Sequence, residues 1–467
     1  MRRKCVMAPP IAALAASLLA ACTSMAPPYE RPSAPVPAAY PGEPVPGETA
    51  IVPAAELEWQ QFFTDPRLKA LIQIALRNNR DLRVAVLNIE QARAQYQIQR
   101  SFELPTVTLG ATGLAEPKAS GSGTSIFYTT GLNIVGYELD LFGRVRSLSD
   151  AALEQFFATE EARKAAQISL VAAVANAYYT LLADDEQLEV TRRTLATRED
   201  SYRLQKLRYE NGASSAYDFA QAVTLVEGAR ASLALLQRQR AQDSNALVLL
   251  LGQAPGGRLP EGRPLEAQGL LADLPAGLPS ELLERRPDIQ RAERLLKSAN
   301  ANIGAARAAF YPRITLTGGA GFASDDLSGL FSNSAWQFAP RIVLPIFDAG
   351  ANQANLEVSQ VNRDIAVALY ERSIQTAFRE VADALAGRAT LSEQLRALRA
   401  QSQAEEKRFM LADLRYRNGA SSYLDVLDAQ RALFQSQLLV VIAQASLVQN
   451  QVNLYKALGG GWRGPLD

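Results

Sequence analysis

The sequence contains no histidine among its 467 residues. This absence excludes the Ser–His–Asp and Cys–His catalytic arrangements, histidine-ligated zinc or haem, and the commonest proton shuttle. Only two cysteines and four methionines are present, so dedicated handling of copper or silver, which favour soft ligands, is not expected. Lys plus Arg and Asp plus Glu balance at 48 each, which gives no reason to expect nucleic acid as a partner. We therefore expect no metal and no cofactor.

Proline and glycine are missing from residues 144–209, and between 351 and 417 the only such residue is Gly387. Both stretches are rich in Ala, Leu, Glu, Arg and Gln and predict helices. If continuous, each helix would extend about 100 Å at 1.5 Å per residue. Helices of that length are typical of coiled-coil-like assemblies, and the small apolar residues along them permit close packing.

The N-terminus predicts a secretory signal over residues 1–21, with Arg2, Arg3 and Lys4 ahead of an apolar run that is too short to span a bilayer. Leu19-Ala20-Ala21-Cys22 resembles a bacterial lipobox, in which Cys22 becomes the acylated first residue. The alternative is an ordinary signal with a cysteine beyond the cut. Thr23 stands where a signal for inner-membrane retention usually has Asp, so the resemblance favours the outer membrane. Residues 22–57 are rich in Pro, Ala and Gly and predict an extended, lipid-anchored tether.

The chain repeats itself at an offset of 207 residues. RYENGASS begins at Arg208 and RYRNGASS begins at Arg415. Leu104-Pro105 aligns with Tyr311-Pro312 at the same offset, and Gly143 aligns with Gly350. The sequence therefore predicts a tandem duplication in which each half is a whole structural unit of helix, strand pair, long helix, turn and helix.

This order predicts the following segments. After the tether come first-half helices (58–103), a β-hairpin (104–142) and a long helix, turn and return helix (143–252). An equatorial segment with a second-half helix follows (253–310), then a second β-hairpin (311–348), a second long helix, turn and return helix (349–458) and a C-terminal tail (459–467).

The predicted strands alternate between apolar and small polar residues, as in TVTLGATG from Thr106, which suits a barrel with lipid outside and water inside. Aromatic residues mark both ends. Phe102, Phe142, Phe310, Tyr311 and Phe347 would lie at one membrane interface, and Phe127, Tyr128, Phe322 and Trp336 at the other. The alternative is a soluble sheet packed on helices. Four strands are too few to close a barrel, whereas three chains would supply twelve.

Several motifs together resemble the outer-membrane factors of bacterial efflux systems, the TolC/OprM/NodT family. They are the lipobox, YELDLFGRV from Tyr137, ERRPDI from Glu284 followed by Ala292-Glu293, FYP from Phe310, PIFD from Pro345, YLDVLDAQ from Tyr423 and NLYKALGGGW from Asn453. The resemblance covers nearly the whole mature chain.

The resemblance implies an α+β membrane protein, a homotrimer whose twelve-stranded outer-membrane β-barrel continues into a long periplasmic α-helical barrel. Its partners would be a periplasmic adaptor protein, an inner-membrane pump of the resistance-nodulation-division (RND) type, and outer-membrane lipid. It would have no catalytic site. It would passively export small molecules such as drugs, dyes and detergents through a gate; the alternative is a conduit for a dedicated peptide, protein or signal-molecule secretion system.

The repeated turn joins two helices in each half. Gly212 and Gly419 can adopt the left-handed conformation that ends a helix, each preceded by an asparagine, Asn211 or Asn418. Ser215 with Asp218, and Ser422 with Asp425, fit a capping box with Asp in place of Glu. Caps alone would explain the repetition; the resemblance adds that these hairpin tips narrow the channel and receive the adaptor.

The resemblance places Leu424 and Asp428 at the family's periplasmic constriction. Asp425 lies three residues before Asp428 and projects from a neighbouring part of the same helix. Three copies would make rings of carboxylates that repel one another and must be held closed by other bonds. Tyr416 and Arg431 are the candidates for those bonds. The first half has Gln221 where the second has Asp428, so only one hairpin is expected to carry the gate.

Two other classes of protein remain open at this point. A lipid-anchored glycosidase could pair Glu138 with Asp140, or Asp325 with Asp326, although neither pair lies in a predicted pocket. A coiled-coil structural lipoprotein or adhesin without a pore would account for the helices but not for the alternating strands.

Overall fold

A computed structural model describes residues 24–40, 57–118, 121–257, 259–268 and 281–462. The predicted signal peptide and Cys22 lie outside these residues. The chain divides into two compact units. Unit 1 contains residues 1–34, 86–162 and 288–373, and unit 2 contains residues 35–85, 163–287 and 374–467.

The elements follow one order twice. The first half contains helices α1 (Trp59–Phe62), α2 (Pro66–Asn78) and α3 (Arg80–Ser101), strands β1 (Val107–Pro117) and β2 (Thr124–Glu138), and helices α4 (Arg144–Glu210) and α5 (Ala216–Leu251). The second half contains helices α6 (Leu282–Arg285) and α7 (Pro287–Ala308), strands β3 (Arg313–Ser324) and β4 (Ser334–Val343), and helices α8 (Ala351–Arg417) and α9 (Tyr423–Ala457). Helices α4 and α8 both have 67 residues.

Three of the described helices, α4, α5 and α9, are long and apolar enough to cross a membrane by length and composition alone. Half of the most apolar window of α4 is buried inside the protein, so much of its apolar surface serves helix packing.

The four strands form one antiparallel sheet in the order β1-β2-β3-β4. Cross-strand partners share a face, and the register separates two kinds of residue. One face is apolar and carries Val107, Leu109, Leu132, Ile134, Leu316, Trp336, Phe338 and Ile342, whereas the other carries Thr108, Thr112, Thr129, Asn133, Thr315, Thr317, Gln337 and Arg341. Trp336 is 81% exposed and Leu109 is 79% exposed, so the described residues leave much of the apolar face uncovered.

Strand β2 contains a β-bulge, so a strict alternation of residues along the strand assigns some side chains to the wrong face of the sheet. The register shifts between Ile134 and Tyr137, and Gly136 adopts a φ of 67°, which glycine tolerates best. The extra residue brings both Ile134 and Tyr137 onto the apolar face. Phe127 pairs with Leu114 and lies on the polar face, opposite to the face of Trp336, so its placement in one aromatic girdle with Trp336 needs correction.

The helical stretch of the first half is broken at Asn79, between α2 and α3. Its Oδ1 accepts from the Leu82 backbone N–H at 2.9 Å, and its Nδ2 donates to the Leu250 carbonyl at 2.9 Å. At the duplicated position, Arg286 Nη1 donates to the Ala457 carbonyl at 2.9 Å. The two acceptors, the carbonyls of Leu250 and Ala457, are equivalent positions of the duplication at the ends of the return helices. Two different side chains therefore make the same contact in the two halves.

Asp65 is a buried hydrogen-bonding centre in unit 2. It caps α2 through the Arg67 and Leu68 backbone N–H groups and accepts from Tyr178 Oη at 2.9 Å, the Arg263 N–H at 3.0 Å and Gln268 Nε2 at 2.7 Å. Burial opposes ionisation, but these hydrogen bonds outweigh it and lower the pKa of Asp65. One carboxylate thus joins α2, α4 and the segment before α6.

The described part of the predicted tether is docked within unit 1. Arg31 makes a bidentate ion pair with Glu293, with both N–O distances at 3.1 Å, and Tyr29 donates to the same carboxylate at 3.0 Å. Asn300 and Arg307 donate to the Pro27 and Met25 carbonyls. Residues 25–31 therefore lie along one face of α7 and do not extend freely, contrary to our expectation for this part of residues 22–57.

Candidate functional site at the helix-hairpin tips

The two repeated turns have the same backbone architecture. In the first tip, Gly212 has a φ of 71°, the Gly212 N–H donates to the Tyr209 carbonyl, and the Ala213 N–H donates to the Arg208 carbonyl. The second tip repeats these bonds at Gly419, with a φ of 70°, and Ala420. This pair of bonds is the Schellman motif. Asn211 and Asn418 each donate from Nδ2 to the carbonyl four residues earlier, at 2.8 Å.

The caps of the two return helices differ. Ser215 Oγ accepts from the Asp218 backbone N–H at 3.1 Å and donates to the Asp218 carboxylate at 2.8 Å. Ser422 makes no side-chain cap bond to α9, so the capping box expected at Ser422 and Asp425 is wrong. Asp425 is therefore free of a capping role and exposed.

Four of the five predicted gate residues share one exposed stripe of α9, whereas Tyr416 lies on α8. Leu424, Asp425, Asp428 and Arg431 are all exposed, whereas Tyr423, Val426 and Leu427 are buried. Spacings of three and four place residues on one helix face. The buried residues form a small core with Ala222 and Leu225 of α5, which holds the exposed stripe in place.

Asp428 forms an ion pair within its own hairpin, with Arg408 of α8. Arg408 also contacts Glu405 at 3.2 Å. Arg408 and Asp428 lie equally far along the sequence from Asn418 at the turn. An antiparallel hairpin brings residues at equal distances from its turn next to one another. Arg408 was not predicted from the sequence, although this symmetry about the turn indicates it. The first half has Ser201 and Gln221 at the duplicated positions and so has no such ion pair.

Tyr416 joins the second hairpin to the first. Its hydroxyl accepts from Gln205 Nε2 of α4 at 2.8 Å and also from Arg208. The Arg208 guanidinium lies over the Tyr416 ring, 5.4 Å from the centroid, a favourable cation–π position. Gln205 is 1% exposed, and its Oε1 accepts from Ser214 at 3.1 Å. We call these contacts of Tyr416 with Gln205 and Arg208 the tip latch.

Two expected bonds are not formed within the chain. Tyr416 bonds to α4 and not to Asp425 or Asp428, and Arg431 makes no ion pair among the described residues. Arg431 lies near Arg198, a buried arginine that donates to the Leu225 carbonyl at 3.1 Å and covers the Phe434 ring at 5.1 Å. Burial, and then the charge of Arg431, lower the pKa of Arg198.

Within the described residues there is no cluster of metal ligands, and the candidate acid pair at the end of β2 is engaged. No group of three or more His, Cys, Asp or Glu side chains there is placed to hold a metal ion. Glu138 is bound by Arg144 at 2.7 and 2.6 Å, and Asp140 accepts from the Arg146 N–H at 2.8 Å. The carboxylates of this pair are therefore engaged with structural partners.

Comparison with known proteins decides the family. The model of the family described as outer membrane efflux protein matches residues 71–253 and again residues 278–460. The two matches begin 207 residues apart, which is the offset of the duplication. The chain belongs to the outer membrane efflux protein family. The predicted recognition and the predicted localisation in the outer membrane are confirmed, and the family is one of transport proteins and not of enzymes.

Curated relatives match almost end to end. The chain is 50% identical over 460 residues to the antibiotic efflux pump outer membrane protein ArpC of Pseudomonas putida and to the toluene efflux pump outer membrane protein TtgC of the same species, covering 96% of this chain and 95% of each relative. The open state of the MtrE outer membrane channel of Neisseria gonorrhoeae superposes with a TM-score of 0.86 at 43% identity, covering 94% of this chain and 99% of MtrE. The predicted fold class, helical with four strands in a tandem duplication, is confirmed, and the chain is an efflux-pump outer membrane protein.

Proposed function

We propose that three copies of this chain form a closed twelve-stranded barrel in the outer membrane and a helical tunnel in the periplasm, and that this conduit passively exports small organic molecules. It has no catalytic site. A periplasmic adaptor and an inner-membrane pump of the RND type supply cargo and energy.

The four-stranded sheet with two unlike faces carries this proposal. Much of its apolar face is exposed, and β1 and β4 each pair on one side only within the described residues. An unpaired strand edge in lipid would leave backbone N–H and C=O groups without partners, at several kcal/mol per group. Joining β4 of one copy to β1 of the next removes every edge, and twelve strands lie within the range of known outer-membrane barrels.

The exposed stripe of α9 supports a gate at the hairpin tips. Three copies of Leu424, Asp425 and Asp428 around an axis would make an apolar ring beside carboxylate rings, which attract cations and repel one another. Arg408 neutralises Asp428 within each chain. The tip latch holds the second hairpin against α4, and Arg431 is available to bond a neighbouring copy. We assign closure to these contacts together.

The tips themselves are the proposed docking surface for the adaptor. Asn211, Gly212, Asn418 and Gly419 are exposed and rigidly shaped by the Schellman bonds. A rigid turn loses little entropy on binding. Ser215 and Asp218 add the same rigidity to the first tip only.

The lipid anchor rests on Cys22 and on the docked segment after it. Acylation of Cys22 would insert its chains into the outer membrane. Docking of residues 25–31 on α7 fixes where that anchor leaves the protein.

Channel formation by purified protein tests the proposal. The full-length protein is expected to run as a heat-stable trimer and to show discrete conductance steps in planar bilayers. Cys22→Ser serves as a control that removes only the anchor, and it should keep conductance once the protein is purified and reconstituted. A monomer, or a trimer that never conducts, would contradict the proposal. A conducting trimer that exports no small molecule would favour dedicated secretion instead.

A further inference from the structure

A cavity in unit 1 lies where the polar face of the sheet meets the starts of α4 and α8. It has a volume of about 540 Å³, within the range of small-molecule sites. Its polar wall contains Glu138, Arg144, Arg313 and Arg341, and its apolar wall contains Tyr311 and Phe142, whose rings stack at 4.8 Å.

The carboxylates of this cavity are already engaged. Both oxygens of Glu138 accept from Arg144, at 2.7 and 2.6 Å. Asp140 accepts from a backbone N–H in the first turn of α4, and Asp348 accepts from the Gly350 and Asn352 N–H groups at the start of α8. Helix N-termini carry partial positive charge, which offsets part of the negative charge of Asp140 and Asp348.

Two further guanidinium groups, those of Arg313 and Arg341, lie on the polar face. Arg313 pairs with Val343, so Arg341, two residues earlier on β4, is its diagonal neighbour, at a separation of about 7–8 Å and somewhat less between the Cβ atoms. Arg313 reaches Glu138 only at 3.4 Å and is 56% exposed. Arg341 is exposed and makes no ion pair or hydrogen bond to any described residue. Like charges at this spacing repel, and an anion between them would relieve that repulsion.

We propose that Arg341 and Arg313 form a binding site for organic anions, in which a carboxylate or sulfonate lies between the two guanidinium groups and an apolar body lies against Tyr311 and Phe142. The fork of a guanidinium matches such anions in a bidentate manner. This inference rests on the proposed function, since it places the polar face of the sheet in the lumen. Cargo leaving the helical tunnel would meet this site before it enters the barrel.

Calorimetric titration of the purified trimer with naphthalene-2-sulfonate tests the site directly and does not depend on the gate. The sulfonate is expected to bind, and the cation 2-naphthylmethylammonium, with the same ring system, is expected not to bind. One charge-assisted hydrogen-bonded contact contributes about 1.5–3 kcal/mol, so Arg341→Gln should weaken binding roughly 10- to 100-fold. Arg341→Lys, which keeps the charge and loses the fork, should fall between the two.

Arg363→Gln is the matched control, because Arg363 is a partly exposed arginine of unit 1 that pairs with Asp364 outside the cavity. It should leave sulfonate binding unchanged. Equal binding by wild type and Arg341→Gln, or no binding by a wild-type trimer that conducts, would overturn the site and leave the conduit standing. A preparation that neither forms trimers nor conducts would instead refute the proposed function.

Discussion

Replacing Tyr416 with phenylalanine should open the proposed gate by removing the hydrogen bonds of the tip latch while leaving the ring in place. The ring keeps its position, but the hydroxyl that accepts from Gln205 and Arg208 is lost. A neutral hydrogen bond contributes about 0.5–1.5 kcal/mol, and the exposed Arg208 contact adds little after solvent screening. The loss also leaves the buried Gln205 amide without its acceptor.

The trimer multiplies this effect. If the three latches open together, about 1 kcal/mol per chain becomes about 3 kcal/mol, which shifts the ratio of open to closed channels about 100-fold. The assay is the open probability of single channels in planar bilayers. Uptake of a large antibiotic such as vancomycin by cells that carry the variant gives a second readout.

Tyr217→Phe is the matched control for this experiment. Tyr217 lies at the first tip, is 68% exposed, and its hydroxyl bonds to no described residue. Gln205→Leu should open the channel as well, and the double variant should open it little further because both changes remove one interaction. The reasoning is refuted if Tyr416→Phe stays closed, if Tyr217→Phe opens equally, or if the effects of Gln205→Leu and Tyr416→Phe simply add.

Three further predictions concern stability, each measured as thermal unfolding of the purified protein. Ser215→Ala should destabilise by about 1 kcal/mol through loss of a helix cap, whereas Ser422→Ala should change almost nothing; equal effects would contradict the observed difference in capping. Asp65→Ala should be among the most damaging substitutions, because it leaves several buried donors unpaired at about 1–3 kcal/mol each; a midpoint close to wild type would show that the hydrogen-bonding centre is unimportant. Burial, and then the charge of Asp243, raise the pKa of Asp184 to about 7, above its unfolded value. The stability that this protonated carboxyl contributes is therefore present in acid and is lost as the pH rises through about 7. The thermal unfolding midpoint should fall as the pH rises to that value, and Asp184→Asn should flatten the fall.

The duplication is the part of the fold that sequence predicts best, because a long insertion-free repeat keeps its spacing through every element. Helices α4 and α8 follow directly from the near absence of proline and glycine. The break at Asn79 was missed, since asparagine is compatible with a helix and only its contact with the Leu250 carbonyl ends one there. The bulge at Gly136 was missed because a period of two cannot reveal one extra residue.

The positions of the proposed gate residues were predicted in part. The exposed stripe of α9 follows from helical spacing, and the structure places Leu424, Asp425 and Asp428 on it. The contact between Gln205 and Tyr416 could not be foreseen, because these two residues are distant in sequence and meet only when the two hairpins pack. Ser422 makes no cap bond because of the position of its hydroxyl group, which cannot be predicted from the amino-acid sequence pattern.

Accumulation of ethidium in cells tests the central claim most directly, which is that this chain exports small molecules across the outer membrane. Cells that lack the chain should accumulate more dye than wild-type cells, and restoring it from a plasmid should lower accumulation again. Unchanged accumulation, with the restored protein present as a trimer in the outer membrane, would contradict the claim of small-molecule efflux.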